Sequence, residues 1–215
     1  MGKVEWYRRP TWTAEDRADF HARLKRSRGT FHKAQYLRLQ ALALQEVGTE
    51  PLLLAALGLL DHLEREYPEP SQLAAACHQR AECLADLGRY SEALAAYQAS
   101  FEAQRQAPNF KTEAYLDFGE LVLGLKRQDL YPQAVALLNE FGGDELFPAS
   151  QYRHATIRAL TYEAVGDRRR AREHAERALA AAAKQESPFA RHRKLGLVRF
   201  VDPEVIARLR ALCAA

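Results

Sequence analysis

The sequence has few cysteines, and their placement argues against a disulfide framework. Of its 215 residues only Cys77, Cys83 and Cys213 are cysteine. Cys77 and Cys83 are six residues apart in one helical run, so their side chains leave the helix on different faces and cannot reach each other. We therefore predict inert, mostly buried thiols and a reducing, cytoplasmic location.

Long apolar runs are also missing. The longest, residues 52–60, is interrupted by Gly58 and is far shorter than the about 20 residues that a bilayer-crossing helix needs. The first twelve residues contain no apolar segment of the kind found in secretory signals. These absences predict a protein without a membrane span.

The motifs of the common enzyme classes are absent as well. The chain has no GxxxxGK[ST], GxGxxG, HExxH or GxSxG sequence. Its seven histidines are scattered, and Cys77, His78 and Cys83 point away from one another on a helix, whereas structural zinc needs four converging ligands. We predict a non-catalytic protein with no cofactor and no metal site.

What the sequence does contain is a series of helical runs. Alanine and leucine supply most of the apolar residues, and short Gly, Pro, Ser or Asn breaks separate the runs. A sustained alternation of apolar and polar residues is missing, and residues 195–202 form the one short stretch with β character. The pattern predicts an all-α fold of about ten helices.

The first helix has a clear beginning. Thr13 precedes it and Asp16 follows three residues later, which is the arrangement of a capping box. Phe20 and Leu24, four residues apart, form an apolar pair on one face. Gly29 marks the end of this run.

The breaks after it recur at a nearly constant interval. Gly48 and Gly88 are 40 residues apart, and Gly166 follows after 78 more, which is close to two further steps. The missing middle break falls within residues 126–132. Self-similarity at this period is typical of solenoids built from helix pairs.

Small residues recur at fixed places around these breaks. Ala81 precedes Gly88 and Ala93 follows it, while Ala159 and Ala171 flank Gly166 with the same twelve-residue separation. Two antiparallel helices joined by a tight turn can approach closely only where both carry small side chains. We therefore expect these four alanines to be buried between paired helices.

In these respects the units resemble tetratricopeptide repeats, with a closing proline in part. The resemblance covers about residues 30–186; the period exceeds the family's usual 34, and an α-solenoid of another repeat class remains an alternative. It implies a right-handed α-solenoid of about four helix pairs with flanking capping helices. Residues 1–29 would form an N-terminal arm and capping helix, and residues 187–215 a C-terminal capping segment.

In such repeats the first helix of each pair lines a concave surface that holds another protein or peptide. Carried onto this sequence, the resemblance implies that the partner-binding side chains are Gln35, Arg38, Gln45, His78, Glu82, Asp86, Glu113, Glu120, Arg153 and Glu163. The alternative is that these residues only keep the surface soluble and that binding occurs elsewhere.

Charge along the chain bears on the kind of partner. Residues 1–40 carry a net charge of +6, residues 41–165 carry −9 and residues 166–215 carry +6. An acidic centre of this kind favours a basic or mixed-charge protein or peptide. The competing interpretation is a nucleic-acid-associated regulator that binds through its basic ends, where the runs GDRRRAR (166–172) and ARHRK (190–194) lie.

Overall fold

The computed structural model describes residues 5–214 and is built from α-helices. This part of the chain contains ten of them and one short 3-10 turn at Gln128–Leu130, and no strand. The helices are α1 (Ala14–Arg26), α2 (Thr30–Gln45), α3 (Glu50–Glu66), α4 (Pro70–Asp86), α5 (Tyr90–Gln106), α6 (Ala114–Gly124), α7 (Tyr131–Phe141), α8 (Pro148–Ala164), α9 (Arg168–Ala182) and α10 (Pro203–Ala214). The prediction of an all-α fold with about ten helices is confirmed.

The chain folds as two compact units, Met1–Ala114 and Tyr115–Ala215. In the first unit α2 packs against α3, α4 packs against α5, and α4 also contacts both helices of the first pair. In the second unit α8 packs against α7 and α9, and α10 packs against α8 and α9. Helices that follow one another after a short turn thus pack together, as expected for a helical solenoid. None of the described helices has both the length and the apolar composition needed to cross a membrane.

The predicted glycine turns are present, and the structure locates the missing one. Gly48, Gly88 and Gly166 have positive φ angles of 75°, 71° and 80°, the left-handed conformation that commonly ends a helix. After α6 the same conformation is adopted by Lys126, with φ 53°. Its neighbour Arg127 donates its backbone N–H to the Val122 carbonyl at 3.0 Å, as Arg89 does to Leu84 after α4 at 2.9 Å. The four turns therefore follow at intervals of 40, 38 and 40 residues.

The small residues beside these turns are buried as expected. Ala81 and Ala93 are 0 % exposed, on α4 and α5, and Ala159 and Ala171 are 0 % exposed, on α8 and α9. Tyr97, one turn after Ala93, is buried as well. The helices of each pair therefore approach at alanine, and a larger side chain fills the space beside the contact.

The N-terminal arm is fastened to the first unit through a buried amide. Gln40 on α2 is 0 % exposed, its Oε1 accepts the Arg9 backbone N–H at 3.1 Å, and its Nε2 donates to the Arg9 carbonyl at 2.7 Å. The Trp6 ring packs against Phe20 of α1 and Tyr36 of α2, with centroids 5.4 and 4.8 Å apart. The tryptophans of the arm thus pack over the first helices, as the sequence suggested.

The predicted capping box at the start of α1 is also present. The Thr13 hydroxyl accepts the Asp16 backbone N–H at 3.1 Å, and the Asp16 carboxylate accepts the Thr13 backbone N–H at 3.0 Å. The bond from the Thr13 backbone lowers the pKa of Asp16 to about 2, since it stabilises the ionised carboxylate. Phe20 and Leu24 are both buried, so α1 turns its apolar pair toward the unit.

Replacing Gln40 with alanine should release the arm. The backbone N–H and carbonyl of Arg9 would lose their partners, which should lower the free energy of unfolding by about 1 kcal/mol. The chain's two tryptophans, Trp6 and Trp12, both lie on the arm, so their fluorescence emission should shift to longer wavelength. Gln106→Ala, on the exposed face of α5, is the matched control. An emission spectrum of Gln40→Ala identical to that of the wild type would contradict the amide contact.

The segment between α9 and α10 is irregular, so the β character of residues 195–202 does not produce a strand. The segment is held to the start of α8: the Gly196 carbonyl accepts the Ala149 backbone N–H at 2.9 Å, and the Phe189 ring packs 5.6 Å from that of Phe147. A Cβ on Gly196 would lie 2.1 Å from a Phe147 ring carbon, and the residue has φ 69°. The position therefore requires glycine.

The last helix lies where the capping prediction placed it. Asp202 accepts the Glu204 backbone N–H at 2.8 Å and so caps the start of α10. Leu209 on this helix is 0 % exposed and belongs to one apolar cluster with alanines of α8 and α9. Val205, Ile206 and Leu212 pack against the same cluster, so α10 covers the last helix pair.

Candidate functional site

Six of the predicted partner-binding residues lie in the first unit, on α2 and α4: Gln35, Arg38, Gln45, His78, Glu82 and Asp86. The structure brings Gln45 and Glu82 together, with Gln45 Nε2 donating to Glu82 Oε2 at 3.4 Å. Arg38 Nε donates to Gln72 Oε1 at 2.8 Å, and burial lowers the pKa of Arg38. Several of these side chains therefore bond to the neighbouring helix, while Asp86 is exposed.

Glu113 lies just before α6 and is exposed, and the remaining three predicted residues lie in the second unit, on α6 and α8. Arg153 holds Glu120 with two hydrogen bonds, from Nε to Oε1 at 2.6 Å and from Nη2 to Oε2 at 2.7 Å. The same guanidinium donates to Asp117. Glu163 is bonded by Arg208 of α10, whose Nε lies 2.6 Å from Oε2.

These pairs change the expected charge of the surface. Burial disfavours the charged form of Arg153, yet its hydrogen bonds and proximity to Glu120 and Asp117 raise its pKa above the ordinary value. Its charge is therefore held in place between two carboxylates. The acidic side chains that suggested a basic partner are matched by arginine within the second unit, so they do not form an open acidic site there.

An apolar groove of about 640 Å³ opens beside the Arg153 ion pairs. Side chains from α6, α8 and α10 line it, with contributions from the chain before α7 and before α10. Most of its lining is apolar or aromatic, and includes Leu123, Tyr131, Tyr152, Ile157, Leu160 and Phe200. Phe200 is 80 % exposed, so a large aromatic ring stands in water at the edge of the groove.

A close approach of two helices forms part of this groove. Gly119 on α6 faces Ile157 on α8, and a Cβ at position 119 would lie 2.9 Å from the Ile157 Cγ2 atom. Real Cβ contacts are longer, so a larger residue would push α6 away from α8. Glycine at position 119 therefore sets the separation of the helices that carry Leu123 and Ile157.

Polar groups surround the apolar lining, and most of them are already matched. Arg153 and Arg208 are paired with carboxylates, and Asp202 caps α10. Burial raises the pKa of the Tyr152 phenol, and the negative charges of Asp202 and Glu120 contribute in the same direction. The phenol is therefore neutral at physiological pH.

The lining is suited to binding rather than to bond breaking. Among the described residues that line the groove there is no histidine, cysteine or serine, so the usual pairing of a nucleophile with a base does not occur there. A concave apolar surface with a few polar groups at its edge is the typical form of a binding site. The groove can therefore take up apolar side chains of a partner and orient them through the polar edge.

A second polar cluster fixes the connection between α7 and α8. The Tyr115 hydroxyl donates to Glu145 Oε1 at 3.1 Å, and the Gly143 backbone N–H donates to the same oxygen at 3.0 Å. His154 Nε2 lies 3.8 Å from that oxygen, and burial lowers the pKa of His154. A Cβ on Gly142 would lie 2.7 Å from Glu145 Oε1. The cluster thus holds the loop closely against α8.

The cysteines are free thiols, as predicted. Cys77 and Cys83 are buried, and burial raises the pKa of each to about 12. Burial also raises the pKa of Cys213, which is partly exposed. Because the thiolate is the reactive form, all three thiols are poorly reactive at neutral pH.

The arginine run at the start of α9 is only partly paired. Arg170 binds Asp167 at 2.6 Å and Arg172 binds Glu176 at 3.1 Å. Arg168 and Arg169 form no ion pair with any residue that the structure describes, and they line a surface pocket of about 740 Å³. This pocket is the structural counterpart of the basic end noted in the sequence.

The sequence analysis did not identify the groove residues as a site. Leu123, Ile157 and Leu160 have the helical spacing of core residues, and Phe200 lies in the stretch that was read as β-like. One signal was available: Lys126 stands where the repeat interval requires a turn, yet no glycine is present.

Compared with known proteins, the sequence matches no family model and shows no significant similarity to any curated protein.

Proposed function

We propose that this protein is a non-catalytic binding module of the tetratricopeptide-like class, which holds an apolar segment of another protein in the groove of its second unit. The paired helices and the left-handed turns at intervals of 38–40 residues support the assignment to this class. The groove lies on α6 and α8, the first helices of their pairs in the repeat scheme. That is the side on which the sequence resemblance places the partner.

The observation that carries the proposal is the groove itself. It has about 640 Å³ of space between helices, an apolar lining, and paired ions at its edge. Binding an apolar side chain there would remove the exposed Phe200 ring from water, which is favourable at about 25 cal/mol per Å² of apolar surface. The fixed ion pairs would exclude water from the contact without needing to rearrange.

A displayed library of random peptides tests this function. Selection on the wild-type protein should enrich peptides with clustered apolar residues. Their affinity should fall at least about tenfold for Leu123→Asp and for Phe200→Asp, because each places a charge at the apolar contact. Leu54→Asp is the control, since Leu54 is 48 % exposed on α3 in the first unit. Circular dichroism should show that all three variants remain folded.

Two results would count against the groove. The first is that no peptide is enriched, and the second is that the enriched peptides bind the groove variants as well as they bind the wild type. The nucleic-acid alternative rests on the unpaired Arg168 and Arg169. It would be favoured if an oligonucleotide bound the protein with a steep salt dependence that disappears in the double variant Arg168→Gln, Arg169→Gln.

A further inference from the structure

Lys126 is the one described residue other than glycine with a positive φ angle. It ends α6 at the place where α2, α4 and α8 are followed by Gly48, Gly88 and Gly166. A side chain makes this left-handed conformation unfavourable, because Cβ crowds the backbone, and glycine avoids the cost. Lysine at this position therefore carries a conformational cost that the other three turns do not.

The backbone does not explain the lysine. The Lys126 N–H donates to the Leu123 carbonyl at 3.0 Å, and the next N–H, of Arg127, closes the turn onto Val122. Glycine would make both bonds equally well, as Gly88 does in its own turn by donating to Ala85 at 2.9 Å. Whatever the lysine contributes comes from its side chain. Sparsely populated backbone conformations of this kind are often kept at functional positions.

The side chain lines the apolar groove as an exposed cation. Among the described residues, nothing forms a hydrogen bond or ion pair with its ammonium group. The next charged residues along the chain, Arg127 and Asp129, are bonded to each other at 2.7 and 2.8 Å.

The other charged side chains of the lining do have partners. Arg153 is bonded to Glu120 and to Asp117, Arg208 to Glu163, and Asp202 to the start of α10. The cation left unmatched at the groove is thus that of Lys126.

We propose that Lys126 is a specificity residue of the groove, which selects partner segments carrying an aspartate or glutamate next to the apolar side chains that fill it. This inference rests on the proposed function and adds the charge of the partner to it. An anionic group placed at the end of the groove would meet the one unmatched charge of the lining. It would also lie beside apolar surface, where ion pairing is screened less than in open water. The expected partner is therefore acidic and apolar at this contact, rather than basic.

The test uses the peptides enriched by the wild-type protein, with Lys126→Gly as the main variant. Because glycine suits the left-handed turn, this variant should melt at an equal or higher temperature than the wild type, by about 2 °C. Its affinity for the enriched acidic peptides should nevertheless fall about tenfold, and the salt dependence of binding should flatten. Loss of binding without loss of stability separates recognition from folding. Lys126→Asn, which is neutral but tolerates the turn, should behave in the same way.

Two controls and a peptide change sharpen the result. Gly88→Lys places lysine in the equivalent turn of the first unit, and it should lower the melting temperature without affecting peptide binding. Arg169→Gln removes one exposed charge away from the groove and should leave the affinity unchanged. Replacing the acidic residue of a peptide by its amide should weaken binding to the wild type but not to Lys126→Gly.

The possible failures are distinguishable. Peptides that depend on Leu123 and Phe200 but show no acidic preference, together with unchanged binding by Lys126→Gly, would overturn the role of Lys126 and leave the groove intact. A failure to enrich any groove-dependent peptide would overturn both proposals. Equal weakening of the acidic peptide and its amide form by Lys126→Gly would show that the lysine acts through the shape of the groove, which also contradicts the inference.

Discussion

Deletion of residues 203–213 is expected to abolish cooperative unfolding of the second unit and to cause aggregation. This segment includes Leu209, which is 0 % exposed, and the apolar residues packed beside it. Without α10, the alanine faces of α8 and α9 would be exposed to water, and terminal helices of repeat arrays are what keep such faces covered. Thermal unfolding followed by circular dichroism, together with size-exclusion chromatography, measures both effects.

A single substitution tests the same contact without removing the helix. Leu209→Ala should lower the free energy of unfolding by about 2–5 kcal/mol, since it leaves a cavity in the cluster. Arg210→Ala, at the neighbouring exposed position of α10, should have little effect. A truncated protein that stays monomeric and melts at the wild-type temperature would show that α10 is an accessory helix.

Overpacking the paired helices should give the second large effect. Ala93 on α5 and Ala171 on α9 are 0 % exposed, so leucine at either position has no space and should destabilise its unit by about 1–3 kcal/mol. Ala95→Leu, on the exposed face of α5, is the matched control and should be nearly neutral. Denaturant unfolding measures the three variants. Wild-type stability of both buried variants would mean that the pairing of helices at these alanines is misassigned.

The sequence predicted those elements of the fold that depend on neighbours along the chain. The capping box of Thr13 and Asp16 involves residues three positions apart, and the glycine turns involve one helix end each. Such signals act through local backbone geometry, so they can be read without knowledge of the tertiary structure. The third turn was located only to within residues 126–132, because lysine rather than glycine adopts the left-handed conformation there.

The candidate site was predicted less well, because it depends on contacts between distant residues. The sequence resemblance placed Glu120, Arg153 and Glu163 among the partner-binding residues, and the structure finds all three at or beside the groove. It could not show that Arg153 neutralises Glu120 across 33 positions, or that Arg208 reaches Glu163 across 45. A net charge counted along the chain therefore suggested an open acidic surface where the second unit has ion pairs.

By itself, the sequence determined that this chain is helical, where most helices begin and end, and which alanines lie between them. Helical periodicity, capping and glycine turns are properties of short segments, and they persist in any arrangement of the helices. The tertiary structure decided which acidic residues are neutralised, that residues 183–202 cross to the start of α8, and that an apolar groove with one unmatched lysine remains open. These features arise only when helices separated in sequence pack together, because burial and pairing depend on the distance between side chains in space.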